Sequence, residues 1–175
     1  ELVFVSDGRA VHDSFNEAVH VRHCGIHPGQ KLYIGVDWGR TPAAAFMALN
    51  ADGSWSVFDE LVTTNTSAYT FGKILKDKLN RDYAGYDIEI YADPAGTQSS
   101  QTRDESCFMM LEESGLYATP CHTNKFELRA GALDRLLQGM TRGNPDIEFD
   151  PKCRTLIRGL AGAYQYKRLQ VAGDD

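Results

Sequence analysis

Long apolar runs are missing from this chain: nowhere do about 18 apolar residues follow one another, which argues against a membrane-spanning helix. A basic leader is missing as well. The opening Glu1-Leu-Val-Phe-Val-Ser-Asp7 has neither the positive start nor the apolar core of a secretory signal. It also begins without Met, as expected of a piece excised from a longer protein. The four cysteines (Cys24, Cys107, Cys121, Cys153) form no Cys-x-x-Cys pair, which argues against a zinc knuckle or a redox motif. They read as reduced thiols of the core. Internal repeats and low-complexity stretches are absent, and 175 residues with 42% hydrophobic and 24% charged residues suit one packed core. The net charge of −6 speaks against a nucleic-acid partner, but it is unevenly spread. Lys125 to Arg168 holds nine basic and five acidic residues, against nine and nineteen elsewhere.

The chain is organised around Lys31-Leu-Tyr-Ile-Gly-Val-Asp37-Trp-Gly39-Arg-Thr-Pro42. Leu32, Tyr33, Ile34 and Val36 make a short β-prone run that ends at an acid, and Gly39 and Pro42 break the chain before the next apolar run, Ala43 to Leu49. This spacing predicts a hairpin with Asp37 at its mouth, where a carboxylate either caps the turn or binds a divalent cation. Asp52-Gly53 then predicts a turn into a third strand, Trp55 to Val62. Thr66 or Ser67 caps a helix with Phe71, Ile74, Leu75 and Leu79 inward and Lys73, Lys76 and Lys78 on the other face. Asp87-Ile-Glu-Ile-Tyr-Ala-Asp93 repeats the pattern of a strand that ends at an acid, stopped by Pro94-Ala-Gly96. A strand, a helix and a second strand would run parallel and bring both acids to one edge, where open sheets bind ligands. Two converging carboxylates repel unless a cation neutralises them.

The rest is read more coarsely. Thr97 to Gln101 is a polar loop, and Thr102-x-x-Glu105 opens a helix with Cys107, Met110 and Leu111 inward and Gly115 at its end. A short strand lies near Leu116 to Thr119. Asn124-x-x-Glu127 opens a further helix with the stripe Phe126, Ala130, Leu133, Leu137 and Met140. Asp146 to Phe149 reads as an edge strand, Asp150-Pro151 as the start of a helix with Leu156, Ile157 and Leu160, and Tyr164 onward as extended. Residues 1–30 read as a linker packing on the sheet, with Ala18-Val-His20-Val as a short strand, and residues 31–175 as the single domain proper. His12, His20, His23, Cys24 and His27 crowd together, but their spacing matches no standard metal site.

Several phrases together carry a family resemblance. Phe15-Asn-Glu17-Ala-Val-His20-Val, Gly35-Val-Asp37-Trp-Gly39-x-Thr-Pro-Ala, Tyr91-Ala-Asp93-Pro-Ala, and Asp150-Pro-Lys-Cys153-x-x-Leu-Ile157-x-x-Leu ahead of Tyr164-Gln-Tyr166-Lys span nearly the whole chain. In order and spacing they resemble the nuclease domain of the large terminase subunit of tailed bacteriophages. The resemblance implies an α/β, ribonuclease H-like mixed sheet, three antiparallel strands and then parallel ones, with helices on both faces. It implies an endonuclease that cuts double-stranded DNA with two Mg²⁺ or Mn²⁺ ions, beside an ATPase domain of the same polypeptide, with portal and small terminase subunit as partners in the host cytoplasm. By the same resemblance Asp37 bridges the two metals and Asp93 binds one. The family's third acid, in a helix with a His-x-x-Asp pattern, has no match here, so Asp174, Asp175 or a residue beyond them is expected to serve.

The chemistry agrees: phosphodiester hydrolysis needs an activated water and a stabilised leaving oxygen, which two cations about 4 Å apart supply, and hard cations prefer carboxylates. Lys125, Arg129, Arg142, Lys152, Arg154, Lys167 and Arg168 are the candidates for phosphate contacts, or else a solvated basic surface. Three other readings stand beside this one. Asp37-x-Gly39-x-Thr41 resembles the phosphate hairpin of sugar kinases and actin-like ATPases, but no second such hairpin occurs in the chain. A junction resolvase or transposase core would differ only in the DNA structure recognised, and a DNA-binding module of a packaging motor would keep the fold with little or no turnover.

Overall fold

The structure, a computed structural model, describes residues 3–39, 41–97 and 106–170. Thr102 and Glu105 of the expected capping box, most of the polar loop ahead of it, and Asp174 and Asp175 lie outside the described residues. The first element is a strand, β1 (Val3–Ala10), in a segment that the sequence left irregular. Helix α1 (Glu17–His20) follows, where Ala18 to Val21 had read as a strand. Local capping overrides the β-propensity: Asn16 accepts the Ala18 amide, and the buried His20 places Nε2 at 2.9 Å from Leu137 O. Only Val21 reaches the sheet, through a bridge to Phe149.

The central meander is β2 (Leu32–Asp37), β3 (Ala43–Leu49) and β4 (Trp55–Val62), all antiparallel, with the boundaries read from the sequence. Helix α2 (Ala68–Asp82) starts at Ser67, whose hydroxyl accepts the Thr70 amide. Phe71, Leu75 and Leu79 are buried, while Ile74 is exposed. Lys78, expected on the outer face, turns inward to Asp59 at 2.6 Å and lies over the Phe46 ring, so its ammonium is held by a partly buried carboxylate rather than by water.

Strand β5 (Ile88–Ala92) lies parallel to β2, from Leu32 opposite Ile88 to Val36 opposite Ala92. A short 3₁₀ turn, Pro94–Thr97, ends it. Helix α3 (Cys107–Glu112) is capped by Ser106, and β6 (Ala118–Pro120) pairs parallel with β5. Helix α4 (Phe126–Gln138) begins at Lys125 with no side-chain cap, one residue past the expected Asn124. Of its expected stripe only Leu137 is fully buried and Phe126 is exposed, because its C-terminal half alone is seated on the sheet. Met140 belongs instead to a two-residue hairpin of β7 (Met140–Thr141) and β8 (Asn144–Pro145), where Arg142 and Gly143 both take positive φ.

Strand β9 (Ile147–Phe149) pairs parallel with β4 at the sheet edge. Asp150 closes a turn by accepting the Lys152 and Cys24 amides, which delays α5 to Arg154–Arg158. A helical turn, Gly159–Ala163, kinked at Gly162 with φ 124°, leads to β10 (Gln165–Gln170), antiparallel to β1. The main sheet has the order β6-β5-β2-β3-β4-β9. One face, with Leu32, Ile34, Val36 and Phe46, packs under α2 and α3. Val57, Ile147 and Phe149 form a second core with Leu133, Leu137, Leu156 and Leu160 of the opposite layer. Of the cysteines, Cys153 is in the core as expected, Cys24 and Cys107 are half-buried, and Cys121 is exposed because it follows the edge strand β6.

Candidate active site

Parallel pairing sets the site. The Asp93 amide donates to Val36 O at 3.1 Å, one step past the register pair Val36 and Ala92, so the two strand-end acids leave adjacent strands side by side. On the face where Asp37 stands, its neighbours are Gly35, Ala43 and Ala45, and these small residues leave a cleft of about 590 Å³. Asp37, Glu60, Tyr91, Asp93, Cys121, Arg129 and Tyr164 are among the residues around it. Burial, and after it the Asp93 charge, raises the Asp37 carboxyl above the ordinary aspartate range, with Arg129 opposing. Asp93 does two jobs: Oδ1 accepts the Ala95 amide at 2.8 Å, and Oδ2 lies 3.3 Å from Arg129 Nη1. Among the described residues Asp37 forms no ion pair, and Arg129 is the cation that opposes its raised protonation range.

Trp38 and Glu60, to which the sequence pattern assigns no role, hold parts of the site in place. Trp38 follows Asp37 and donates from Nε1 to Asp93 O at 3.1 Å, tying the mouth of the hairpin to the turn after β5. The indole lies against Gly96, where a Cβ would come within 2.2 Å of Nε1. An aromatic directly after one acid and a glycine three residues after the other were the available signals. Glu60 accepts the Thr155 and Leu156 amides at 2.8 and 3.0 Å, fixing the start of α5 over the cleft.

The other candidates are placed as follows. Arg129 lies in the cleft, and exposed Lys125 stands one turn before it. Exposed Arg142 is near Asp52, at the far end of the sheet. Lys152 and Arg154 are exposed at the approach to α5, outside the cleft lining. Lys167 and Arg168 sit on β10 opposite Ser6 and Val5. His23 and His27 are exposed, His12 and His20 buried. Among the described residues no group of three or more His, Cys, Asp or Glu side chains gathers as a metal site. Two carboxylates, hard oxygen donors with excess negative charge between them, do fit one hard divalent cation with water completing its shell.

Neither a family model nor a curated protein matches the sequence. Solved structures do. A large terminase from a thermophilic bacteriophage, solved in several crystal forms, superposes with a TM-score of 0.67 at 14% identity over 97% of this chain. The P22 large terminase nuclease domain gives 0.64 at 11%, covering 87% of this chain and 78% of that one. The large terminase nuclease from the thermophilic phage G20c, solved with bound cobalt, gives 0.53 at 15%, covering 95% and 90%. The chain spans 41% of the first of these three proteins. The fold is therefore ribonuclease H-like, an α/β fold with a six-stranded mixed sheet, similar to terminase nuclease domains.

Proposed function

We propose that this domain is a metal-dependent endonuclease that cuts double-stranded DNA within a viral packaging motor. The observation that carries the reading is the pair Asp37 and Asp93, brought to one edge by β2 and β5, where burial and then the Asp93 charge raise the protonation range of Asp37. The fold shared with terminase nuclease domains, one of them solved with bound cobalt, supports it. Carboxylate oxygens of Asp37 and Asp93 would hold Mg²⁺ or Mn²⁺, with Asp37 shared if two ions bind and a carboxylate outside the described residues, such as Asp174 or Asp175, completing the set. A bound divalent cation supplies an acidified water and a counter-charge for the leaving oxygen.

The chain's own residues prepare that chemistry. Trp38 keeps the two acids at a fixed separation, and Gly35, Ala43 and Ala45 leave room for a sugar-phosphate backbone. Arg129 neutralises Asp93 in the free protein, and once a cation takes over that charge its guanidinium can turn to a DNA phosphate. The remaining basic candidates add affinity without reading sequence. By the same reading the full protein has an ATPase domain, since the chain spans 41% of the thermophilic phage's large terminase, a protein also solved with ADP. Portal and small terminase subunit are then its partners.

The test is Mn²⁺ titration calorimetry combined with nicking of a supercoiled plasmid. Asp37→Asn and Asp93→Asn should each abolish measurable Mn²⁺ binding and lower nicking at least a hundredfold, or about 2.7 kcal/mol in activation free energy. Wild-type metal binding and nicking in both variants would overturn the proposal.

A further inference from the structure

One buried titratable side chain on the cleft wall has no part in the proposed function so far. His12 is 7% exposed, follows β1, and lines the same cleft as Asp37 and Asp93. Its Nδ1 lies 2.7 Å from Asp134 Oδ1, and Asp134 is not itself part of the cleft lining. The Val11 amide donates to Tyr164 O at 2.9 Å, and the ring lies beside Tyr164, 6.3 Å between centroids. Backbone and side chain are thus both fixed.

Helix α4 links this histidine to the acids. Arg129 reaches Asp93 from one point on it and Asp134 holds His12 from another. Five residues apart, they are separated by about 7.5 Å along the helix at 1.5 Å per residue. Among the described residues of the cleft lining, Arg129 and His12 are the side chains that carry nitrogen donors, so a strand laid through the cleft can be met at two points along it.

We propose that His12, oriented by Asp134, binds a backbone phosphate of the substrate strand away from the cut. This rests on the nuclease reading. In its doubly protonated form an imidazole donates from both nitrogens, so that Nδ1–H would hold Asp134 while Nε2–H would be presented to a phosphate oxygen. Bridging two anions in a partly desolvated wall makes the contact selective for phosphate charge.

The experiment pairs the variant with a neutralised phosphate. Binding of the 175-residue chain to a fluorescent duplex is measured by anisotropy in Ca²⁺, with a methylphosphonate moved along one strand, for wild type, His12→Ala and His12→Gln. Wild type should lose about tenfold in affinity at one or two methylphosphonate positions, the size of a charge-assisted hydrogen bond. His12→Ala should lose about the same on unmodified DNA and nothing further at those positions. His12→Gln, which keeps a donor, should recover part of the loss. If His12→Ala and His12→Gln both stay as sensitive as wild type to every methylphosphonate, His12 is only a packing residue and the proposal falls alone. If folded wild type binds no duplex at all, the nuclease reading falls and takes the phosphate site with it.

Discussion

Gly96→Ala tests whether the two acids are held by the contact between Trp38 and the turn after β5. A Cβ on Gly96 would lie 2.2 Å from Trp38 Nε1, 2.4 Å from Cδ1 and 2.9 Å from Cε2. The indole is stiff and is packed edge-on against Phe108 and Phe71, at 5.7 and 6.5 Å between centroids, so it has to leave its place. Overpacking of this kind costs about 1–3 kcal/mol, and the Nε1 bond to Asp93 O adds about 1 kcal/mol. Gly96 has no positive φ, so alanine recovers only about 0.4–1 kcal/mol from the unfolded chain. The net expectation is a loss of about 2 kcal/mol. With a urea dependence of about 2 kcal/mol/M, the midpoint falls by about 1 M. Gly131→Ala is the control: it sits inside α4 with open space around it and should gain about 0.5–1 kcal/mol. Nicking by Gly96→Ala should fall more than its stability alone explains, because the acids separate. A Gly96→Ala protein with an unchanged urea midpoint and unchanged nicking would refute the claim that Trp38 holds the site together.

Asp37→Asn should stabilise the metal-free protein at neutral pH. Burial and Asp93 raise the folded-state pKa of Asp37, so the wild type loses stability as pH climbs from the ordinary aspartate range through that raised value. The advantage of the Asn variant should therefore shrink to nothing in acid, and melting curves in EDTA across that range check it; a variant less stable than wild type at neutral pH would contradict the stated cause. Arg129→Gln removes a half-exposed ion pair worth about 0.2–1 kcal/mol and takes away the counter-charge that the guanidinium supplies to Asp37 and Asp93. Calorimetry should show Mn²⁺ binding several-fold tighter without DNA, while duplex binding weakens. Unchanged Mn²⁺ affinity would mean that the guanidinium does not compete for Asp93.

What was legible in the sequence was local. The strand ending at Asp37, the break at Gly39 and Pro42 and the strand after it lie within twenty residues, and the meander has the expected boundaries. The parallel return to Asp93 followed from a helix of the right length between two strands. The features missed depend on partners far along the chain. His12 meets Asp134 across 122 residues, and β1 finds β10 from opposite ends of the sequence. Cap choices went astray for a related reason: Asn124 and Asp150 are good local caps, but the tertiary seating of α4 and the bonds from Cys24 and Lys152 to Asp150 decide where those helices begin.

The shape of the cleft rests on one irregularity in β4. Met47 pairs with Val57 but Phe46 pairs with Asp59, so Phe58 is an extra residue and the strand changes parity there. Before the bulge, Trp55 and Val57 share the face of Tyr33 and Met47, where the Tyr33 and Trp55 rings meet edge to face at 5.3 Å and fill that end. After it, Glu60 rather than Asp59 lies opposite Ala45. Asp59 is turned to the other face, where Lys78 and Tyr83 bind it. Without the extra residue these two acids would exchange faces: Asp59 would leave Lys78, and Glu60 would be drawn away from the Thr155 and Leu156 amides. The same sheet face therefore carries large rings at one end and glycine and alanine at the other, and the bulge sets a carboxylate at the point where it anchors α5 above the small residues. A cleft deep enough for a backbone then follows from side-chain size and strand parity together, beside the two acids that the parallel pairing brings to its rim.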